Sequence, residues 1–201
     1  MKKIETIWHH VLYEALEHKQ FKFTQQELAL RFSYSLSTVH HALAVPTRIG
    51  AIRKESKFFV LEHFMKLLLY WASVRNLSNN IRYSTYYEGP ILKAQGELPA
   101  EGIYGGYTAA KHILGTAPAD YDKIYYYYQD PEDFRRRFPP NHNYPDNIFV
   151  LSLPNIKEYS ERYPGGTTSL PNTFVDIWNM ADWFAADFIR ALEEKINGLL
   201  S

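Results

Sequence analysis

The sequence contains no cysteine, no long apolar run and no excess of charge of either sign. Without cysteine there is no disulfide, no thiolate nucleophile and no cysteine-bound zinc. A membrane-spanning helix needs about 20 apolar residues, and charges at Glu62 and Lys66 interrupt the longest candidate, residues 58–72. The first residues also lack the apolar core of a secretory leader. We therefore expect a cytoplasmic protein with no membrane span.

The zero net charge conceals an uneven distribution along the chain. Residues 1–66 carry ten lysines and arginines against six acidic residues, a net charge of +4, and residues 67–201 carry twelve against sixteen, a net charge of −4. Positive charge on one part of a chain is expected of a nucleic-acid-binding protein. The 201 residues, 46% of them hydrophobic, suffice for one large or two small domains.

Two short helices joined by a turn are predicted in the first third of the chain. Thr24, followed three residues later by Glu27, is a capping box that starts the first helix. A short polar turn follows. Ser37 is then predicted to cap a second helix, on which Val39 and Leu43 share the buried face because they lie four residues apart.

The second of these helices is interpreted as a DNA-reading helix. In a helix-turn-helix this helix lies in the major groove, with its N-terminal residues at base edges. The candidate DNA-contacting residues on it are Ser37, Thr38, His40 and His41. Pro46 has no backbone N–H to donate to the carbonyl four residues earlier, so the helix is predicted to end or kink near Val45.

A hairpin is predicted directly after Gly50, in the position of a wing. Strands at residues 51–53 and 58–61 flank a turn at residues 54–57. The basic residues expected to contact phosphate groups are Arg48, Arg53, Lys54 and Lys57. Such contacts position a protein on DNA without reading its sequence. Helix-turn-helix geometry also occurs in protein-interaction modules, so an adaptor function stays open.

Amphipathic helices are predicted on both sides of this segment. The helix over residues 3–19 is expected to support the two later helices. His9 and His10 are adjacent and do not share one helix face, so they are predicted to be surface or boundary residues rather than metal ligands. A third apolar helix, within residues 64–80, is predicted to bridge two domains by packing inside the chain, with a dimer contact as the alternative.

The rest of the chain, residues 81–201, is predicted to form an α/β domain. Its predicted elements are a glycine turn and helix within residues 104–115, a strand at 123–128, a helix between Asp130 and Pro139, a strand at 147–153 and a terminal helix at 172–197. At most half of Tyr125–Tyr128 is available to stack bases, because alternate strand residues face the core. The run Arg135–Arg137 is interpreted as a solvated helix face, and phosphate binding by it is left open.

A nucleotidyltransferase site is the alternative that this second domain suggests. Such enzymes hold triphosphate on a glycine turn and magnesium on paired carboxylates. The candidates are the glycine pair 105–106 with Asp120 and Asp122. Both acids precede the predicted strand, and the necessary third acid is undecided between Asp146 and Asp176. We therefore predict no catalytic residue, no metal ligand and no cofactor, and interpret the two aspartates as part of a solvated loop.

Several segments in their order along the chain resemble the AbiEi family of antitoxins from type IV toxin–antitoxin systems. These are TQQELA, STVHHAL, LLLYWASVR, GGYTAAKHILG, IYYYY, residues 147–151 with Pro154, and FVDIWNMADWFAADFI. The resemblance extends over nearly the whole chain. It implies a repressor of its own operon, encoded beside a nucleotidyltransferase toxin, with a second domain that looks like a nucleotidyltransferase without activity.

The sequence thus predicts an α+β protein of two domains. A winged helix-turn-helix over residues 1–63 is followed by a bridging helix at 64–80 and a nucleotidyltransferase-like domain at 81–201. The expected function is DNA-binding transcriptional regulation by an autorepressing antitoxin. The expected partners are double-stranded DNA, a second copy of the chain and a genetically linked toxin. An active magnesium-dependent nucleotidyltransferase and a protein-binding adaptor remain the alternatives.

Overall fold

A computed structural model describes residues 1–141, 143–152 and 166–201. The protein is of the mixed α+β class, as predicted. It divides into two compact units, Met1–Arg75 with Ile196–Ser201, and Asn76–Lys195. No helix in the described ranges is long and apolar enough to cross a membrane.

The first unit combines helices with a small antiparallel sheet. Its elements are α1 (Lys3–Glu17), β1 (Lys22–Phe23), α2 (Gln25–Phe32), α3 (Leu36–Arg48), β2 (Ile52–Lys54), β3 (Phe59–Leu61) and α4 (Phe64–Val74). The strand order is β1-β3-β2, with Lys22 opposite Val60 and Lys54 opposite Phe59. The helix, turn, helix and hairpin predicted from residue 24 onward are therefore all present.

Helix α1 lies against α3 and α4 and supplies much of this unit's core. Ile7, Val11 and Leu12 are fully buried on it. His9 and His10, predicted to be surface or boundary residues, are both buried, so that prediction is wrong. His9 meets Trp71 of α4 edge to face, and His10 meets Phe32 of α2 in the same way. These ring partners come from distant segments, which the local helical pattern does not indicate.

Helix α3 continues through Pro46 to Arg48, so the predicted end near Val45 is wrong. Proline at this position removes the N–H that would bond to the Ala42 carbonyl. The indole Nε1 of Trp8 donates to that carbonyl oxygen at 2.7 Å instead. The buried carbonyl is therefore satisfied from outside its own helix, and the chain continues as a helix without an unpaired acceptor.

A buried ion pair joins the start of α1 to the end of α4. Arg75 Nη1 lies 3.0 Å from Glu5 Oε2, and both side chains are about 95% buried or more. Trp71 Nε1 donates to the same carboxylate oxygen at 3.1 Å, and the Lys2 amide donates to the other at 3.0 Å. Burial by itself raises the pKa of Glu5, but the charge of Arg75 and these hydrogen bonds outweigh it. The pKa of Glu5 therefore lies below its ordinary value.

The second unit is built around a four-stranded mixed sheet. Its elements are a 3₁₀ turn (Ser78–Asn80), β4 (Ile81–Thr85), α5 (Ile91–Glu97), β5 (Ile103–Gly105), α6 (Gly106–Leu114), β6 (Ile124–Tyr127), α7 (Pro131–Arg137), β7 (Ile148–Leu151), α8 (Leu170–Trp178) and α9 (Ala185–Leu200), of which the residues from Ile196 onward belong to the first unit. The strand order is β4-β7-β6-β5, in which only β6 and β7 run parallel. The sequence did not predict β4, α5 or β5. Leu153 and Pro154, part of the predicted strand and of the family resemblance, lie outside the described residues.

Strand β6 is covered on both faces, so all four of its residues are buried. Tyr126 belongs to a cluster with Phe134 of α7 and Ala94 of α5. Tyr127 faces the other way, and its hydroxyl donates to Asp176 of α8. Tyr125, Tyr126 and Tyr127 are therefore core residues, and the strand leaves fewer rings for base stacking than the alternation of a half-exposed strand predicts.

The terminal segment forms two helices, and the prediction of one helix over residues 172–197 is wrong. Asp182 lies between α8 and α9. It accepts a hydrogen bond from the Tyr107 hydroxyl at 2.8 Å and forms an ion pair with Lys123. The Asn179 side chain donates back to the Val175 carbonyl at 2.9 Å at the end of α8. These contacts hold residues 179–184 outside a helix although the apolar spacing of the sequence continues through them.

Candidate nucleic-acid interface

The first helix of the candidate interface begins and ends as its sequence indicates. Thr24 Oγ1 accepts the Glu27 amide at 3.1 Å, so Thr24 caps α2 as predicted. The Glu27 carboxylate accepts from the Thr24 hydroxyl at 3.1 Å, and this bond replaces the return bond of the predicted capping box. At its other end, Ser33 adopts a left-handed conformation with φ 53°. The Tyr34 amide then bonds back to the Ala29 carbonyl at 2.9 Å. The turn is therefore tight and leads directly into α3.

The cap of α3 is Ser35 and not Ser37, so the predicted cap is wrong. Ser35 Oγ accepts the Thr38 amide at 3.1 Å and lies 2.9 Å from the Thr38 hydroxyl. Both serines are favourable N-cap residues, and the tight turn at Ser33 places Ser35 at the start of the helix. Ser37 is left exposed at the start of the helix with its hydroxyl available to a ligand, whereas Thr38 is half-buried and engaged.

Three of the four predicted contact residues of α3 are exposed to solvent. Ser37, His40 and His41 are exposed, while Val39 and Leu43 are fully buried against the core. Leu36 also lies on this face with 53% of its surface exposed, and the sequence reasoning missed it. An exposed leucine in the first turn of such a helix is suited to contact a thymine methyl group.

A groove of about 630 Å³ lies between the start of α2, the first turns of α3 and the β2–β3 hairpin. The residues that line it are Thr24, Gln25, Gln26, Leu36, Ser37, His40, Glu55, Ser56, Lys57 and Phe58. It brings two of the predicted helix residues together with one predicted hairpin lysine. Gln25 and Gln26, which the sequence reasoning did not select, add amide groups able to donate to phosphate or to base edges.

The predicted phosphate-contacting residues differ in whether their charges are neutralised by ion pairs. Arg53 contacts Glu62 at 2.6 Å and also pairs with Glu55, so its charge is largely balanced within the hairpin. Arg48, Lys54 and Lys57 have no ion-pair partner in the part of the chain that the structure describes. Lys22, not selected from the sequence, lies with its ammonium 3.9 Å from the centre of the Phe58 ring at the groove.

The glycine pair of the second unit is packed against protein. Gly106 begins α6 with φ +53°, and a Cβ on it would lie 2.8 Å from Met180. A Cβ on Gly105 would lie 2.8 Å from the ring of Tyr127. Both glycines are buried. The side of the turn on which a Cβ would lie is therefore closed by side chains of the same unit.

The candidate acids of the second unit lie in different surroundings, although Asp122 and Asp176 both raise the pKa of Tyr125. Asp120 and Asp122 are exposed in the segment before β6. Asp146 accepts from Ser84 Oγ at 2.5 Å, and fully buried Asp176 accepts from Tyr127 and from Asn172 at 2.7 Å. Within the described residues, no group of three histidine, aspartate or glutamate side chains is placed to hold a metal ion.

The arginine run of α7 forms an exposed, internally paired face. Arg136 and Arg137 lie 3.3 and 3.2 Å from the carboxylate of Asp133, and Arg135 lies 3.4 Å from Glu132. The side chains of all three arginines are about half exposed or more. The arrangement fits the interpretation of a solvated helix face, because such exposed pairs contribute little binding or stability.

Comparison with known proteins gives no relative. No family model, no curated protein and no solved structure matches this chain significantly.

Proposed function

We propose that the protein is a DNA-binding transcriptional regulator whose first unit is a winged helix-turn-helix. The observation that carries the proposal is the groove in which Ser37 and His40 of α3 lie beside Lys57 of the β2–β3 hairpin. A reading helix with a basic hairpin at its side is the arrangement by which such proteins contact base edges and phosphates together.

The dimensions of α3 support this use. The helix spans 13 residues, or about 20 Å at 1.5 Å per residue, and the major groove of DNA is about 12 Å wide. Because Pro46 does not break the helix, its length is not reduced at Val45. The outward residues Ser37, His40 and His41 all lie in its first half, which is the half that reaches base edges in this class of protein.

The chemistry of the reading face favours recognition of moderate specificity. It contains hydroxyl, imidazole and apolar groups, and its only arginine or lysine is Arg48 in the last turn. Bidentate arginine–guanine contacts at the start of the helix are therefore not available to it. Leu36 and Ala44, which are both exposed on α3, offer methyl contacts instead. We therefore propose that the preferred site is rich in A·T base pairs.

The AbiEi resemblance specifies the regulator further. We propose an autorepressing antitoxin of a type IV system, acting in the cytoplasm and encoded beside a nucleotidyltransferase toxin. Its second unit would then be a nucleotidyltransferase-like domain without activity. The burial of Gly105 and Gly106 beneath Tyr127 and Met180 supports the inactive state.

The test is fluorescence anisotropy of the full chain on a duplex from upstream of its own gene, against a scrambled duplex, over a salt series. Tighter binding to the native duplex, with affinity falling as salt rises, is the expected result. Equal and weak binding to both duplexes would remove sequence-specific repression as the function.

The same preparation separates the two alternatives. An active nucleotidyltransferase binds nucleoside triphosphate in a magnesium-dependent way, and that binding is lost in Asp120→Ala or Asp122→Ala. A protein-binding adaptor shows no salt-dependent DNA binding and no response to Lys57→Ala. Isothermal titration with a triphosphate and the anisotropy series together distinguish all three functions.

A further inference from the structure

A hollow of about 430 Å³ lies in the second unit, between strands β4, β6 and β7 and the segment that joins α8 to α9. The lining residues that give it its chemical character are Lys123, Tyr125, Phe149, Met180 and Asp182. Pockets for small molecules have volumes of about 300 to 1,000 Å³ and combine apolar and aromatic walls with a few polar groups. The hollow has both properties.

Two aromatic rings form one wall of this hollow. Tyr125 of β6 and Phe149 of β7 are opposite each other in the parallel strand pair. Their rings are stacked, with centroids 4.8 Å apart and planes inclined by 13°. Phe149 is half-buried and lines the hollow, so part of this flat surface is open to a ligand. Such a surface binds planar groups by stacking and cations through the π electrons of the rings.

The Tyr125 hydroxyl has no hydrogen-bond partner in the part of the chain that the structure describes. The next two tyrosines of β6 differ from it. The Tyr126 hydroxyl donates to the Pro99 carbonyl, and the Tyr127 hydroxyl donates to a carboxylate of α8. Only 7% of the Tyr125 surface is exposed, and unpartnered polar groups on such buried side chains are rare in native proteins. Because Tyr125 lines the hollow, a ligand bound there can satisfy its hydroxyl.

The electrostatic surroundings of this hydroxyl are negative. Burial raises the pKa of Tyr125, and three carboxylates raise it further, those of Asp182, Asp176 and Asp122. Lys123 is the one basic side chain among the described residues that line the hollow, and it forms an ion pair with Asp182. The lining as a whole is therefore neutral, and the other two carboxylates leave an excess of negative charge around it. This charge favours a cationic ligand over an anionic one.

We propose that the hollow binds a small organic cation in which a protonated amine or amidine is joined to a flat body. The flat body lies against Phe149, and an N–H of the cation donates to the Tyr125 hydroxyl oxygen. A tyrosine hydroxyl can accept such a bond because its oxygen is an acceptor as well as a donor. Only residues of the second unit take part, so the site goes beyond the proposed DNA binding and does not depend on it.

Benzamidine is a suitable probe because its charged amidinium group is attached to an aromatic ring. Benzamide and benzoate have a similar shape but are neutral and anionic, so they are the matched control compounds. Met180 lines the hollow, and NMR of the full chain with carbon-13 in its methionine methyl groups reports on it directly. Met65, on α4 of the first unit, provides the reference signal.

Benzamidine should shift the Met180 signal in a saturable way and leave the Met65 signal in place. For a probe of this size the expected dissociation constant is about 1 mM. Benzamide and benzoate should bind about tenfold more weakly, because neither carries the positive charge that the surroundings favour.

Two pairs of variants test the assigned contacts. Tyr125→Phe removes only the hydroxyl and should weaken benzamidine binding about fivefold. Tyr128→Phe makes the same change next to the end of β6, outside the hollow, and should leave binding unchanged. Asp122→Asn should weaken binding several-fold at low salt, whereas Asp120→Asn removes an equal charge farther along the exposed loop and should have a smaller effect. Urea unfolding verifies that each variant is folded.

Three results would each overturn the proposed site. They are a Met180 signal that does not respond to benzamidine, binding of benzoate as tight as that of benzamidine, and unchanged benzamidine binding by Tyr125→Phe. Since no DNA is present, none of these results reflects a failure of DNA binding by the first unit. Equal binding of native and scrambled duplexes in the anisotropy test would likewise leave the Met180 response unaffected.

Discussion

Trp8 donates its indole hydrogen to the Ala42 carbonyl, the one acceptor in α3 that Pro46 leaves without its helical donor. The contact spans 34 residues and is buried. It joins the supporting helix α1 to the middle of the proposed reading helix. The orientation of α3 is thus fixed by a directional bond in addition to apolar packing.

This relationship predicts a strong coupling between Trp8 and Pro46. Trp8→Phe keeps an aromatic ring but leaves the Ala42 carbonyl unpaired, which should cost about 1–3 kcal/mol of unfolding free energy. Pro46→Ala supplies a backbone N–H, so the double variant should recover much of that loss. Urea unfolding of the four proteins in the cycle measures the coupling, and strictly additive costs would contradict it.

The Glu5–Arg75 pair predicts a loss of stability in acid. The pKa of Glu5 is lowered in the folded chain, so its contribution is complete above the ordinary value of 4.5 and is lost as pH falls through the lowered value. Glu5→Gln should cost about 3 kcal/mol at neutral pH, because it leaves Arg75 buried without its counter-charge. The difference in melting temperature between wild type and variant should become smaller below pH 4.5. A gap that is constant with pH would refute the assignment.

Lys57 is predicted to contact phosphate. Lys57→Ala should weaken binding to native and scrambled duplexes by the same factor and reduce the salt slope by about 1. His40→Ala should instead lower the ratio between the two affinities, because His40 lies on the reading face of α3. Lys93→Ala, an exposed lysine on α5, is the control and should change neither quantity. Anisotropy over a salt series reports both.

Glu55 is predicted to restrain DNA binding. Glu55 lines the groove, so it adds negative charge where DNA is proposed to bind. It also pairs with Arg53 and so neutralises a cation that could otherwise contact phosphate. Glu55→Gln should therefore tighten binding to both duplexes several-fold at low salt, with the gain disappearing as salt screens it. Glu88→Gln changes the net charge equally at an exposed position of the second unit and serves as the control. Weaker binding by Glu55→Gln would be the contrary result.

Gly105 is predicted to be required for packing and not for phosphate binding. Alanine there places a methyl 2.8 Å from Tyr127, whose ring is fully buried and whose hydroxyl is held by Asp176. The strain should cost about 1–3 kcal/mol. Gly96→Ala, with no atom within 4 Å of the new methyl, should stabilise the chain slightly, by up to about 1 kcal/mol. Thermal unfolding of both variants checks the contrast.

Local patterns predicted the helices and the hairpin of the first unit well. The Thr24 cap, the turn after Phe32 and the strands that follow Gly50 are decided by neighbours in sequence. The first and last residues of α3, by contrast, are not decided by neighbours in sequence. Two serines compete for its cap, and the turn at Ser33 selects Ser35, while the effect of Pro46 depends on Trp8, 38 positions earlier in the chain. Burial of His9 and His10 likewise depends on rings from α2 and α4.

Long-range contacts also explain why the sequence did not predict the helix break and strand β5 of the second unit. The apolar spacing from Phe174 to Phe188 continues through the break between α8 and α9, so periodicity alone predicts one helix. Asp182 lies in the break and binds Tyr107 and Lys123, which are distant in sequence and which the apolar spacing does not indicate. Strand β5 is three residues long and ends in glycine, and only its pairing with β6 identifies it as a strand. The groove residues Gln25 and Leu36 were missed because their outward direction follows from the packing of α2 and α3.

The four tryptophans are divided between the two units in a way that labels each one optically. Trp8 and Trp71 are buried in the first unit, and Trp178 and Trp183 are exposed in the second. Intrinsic fluorescence should therefore contain a short-wavelength component that iodide cannot quench and a long-wavelength component that it can. The first component follows the integrity of the α1–α3–α4 packing, and the second senses whatever covers the α8–α9 surface. Changes in the two units are thus visible separately in one unlabelled sample.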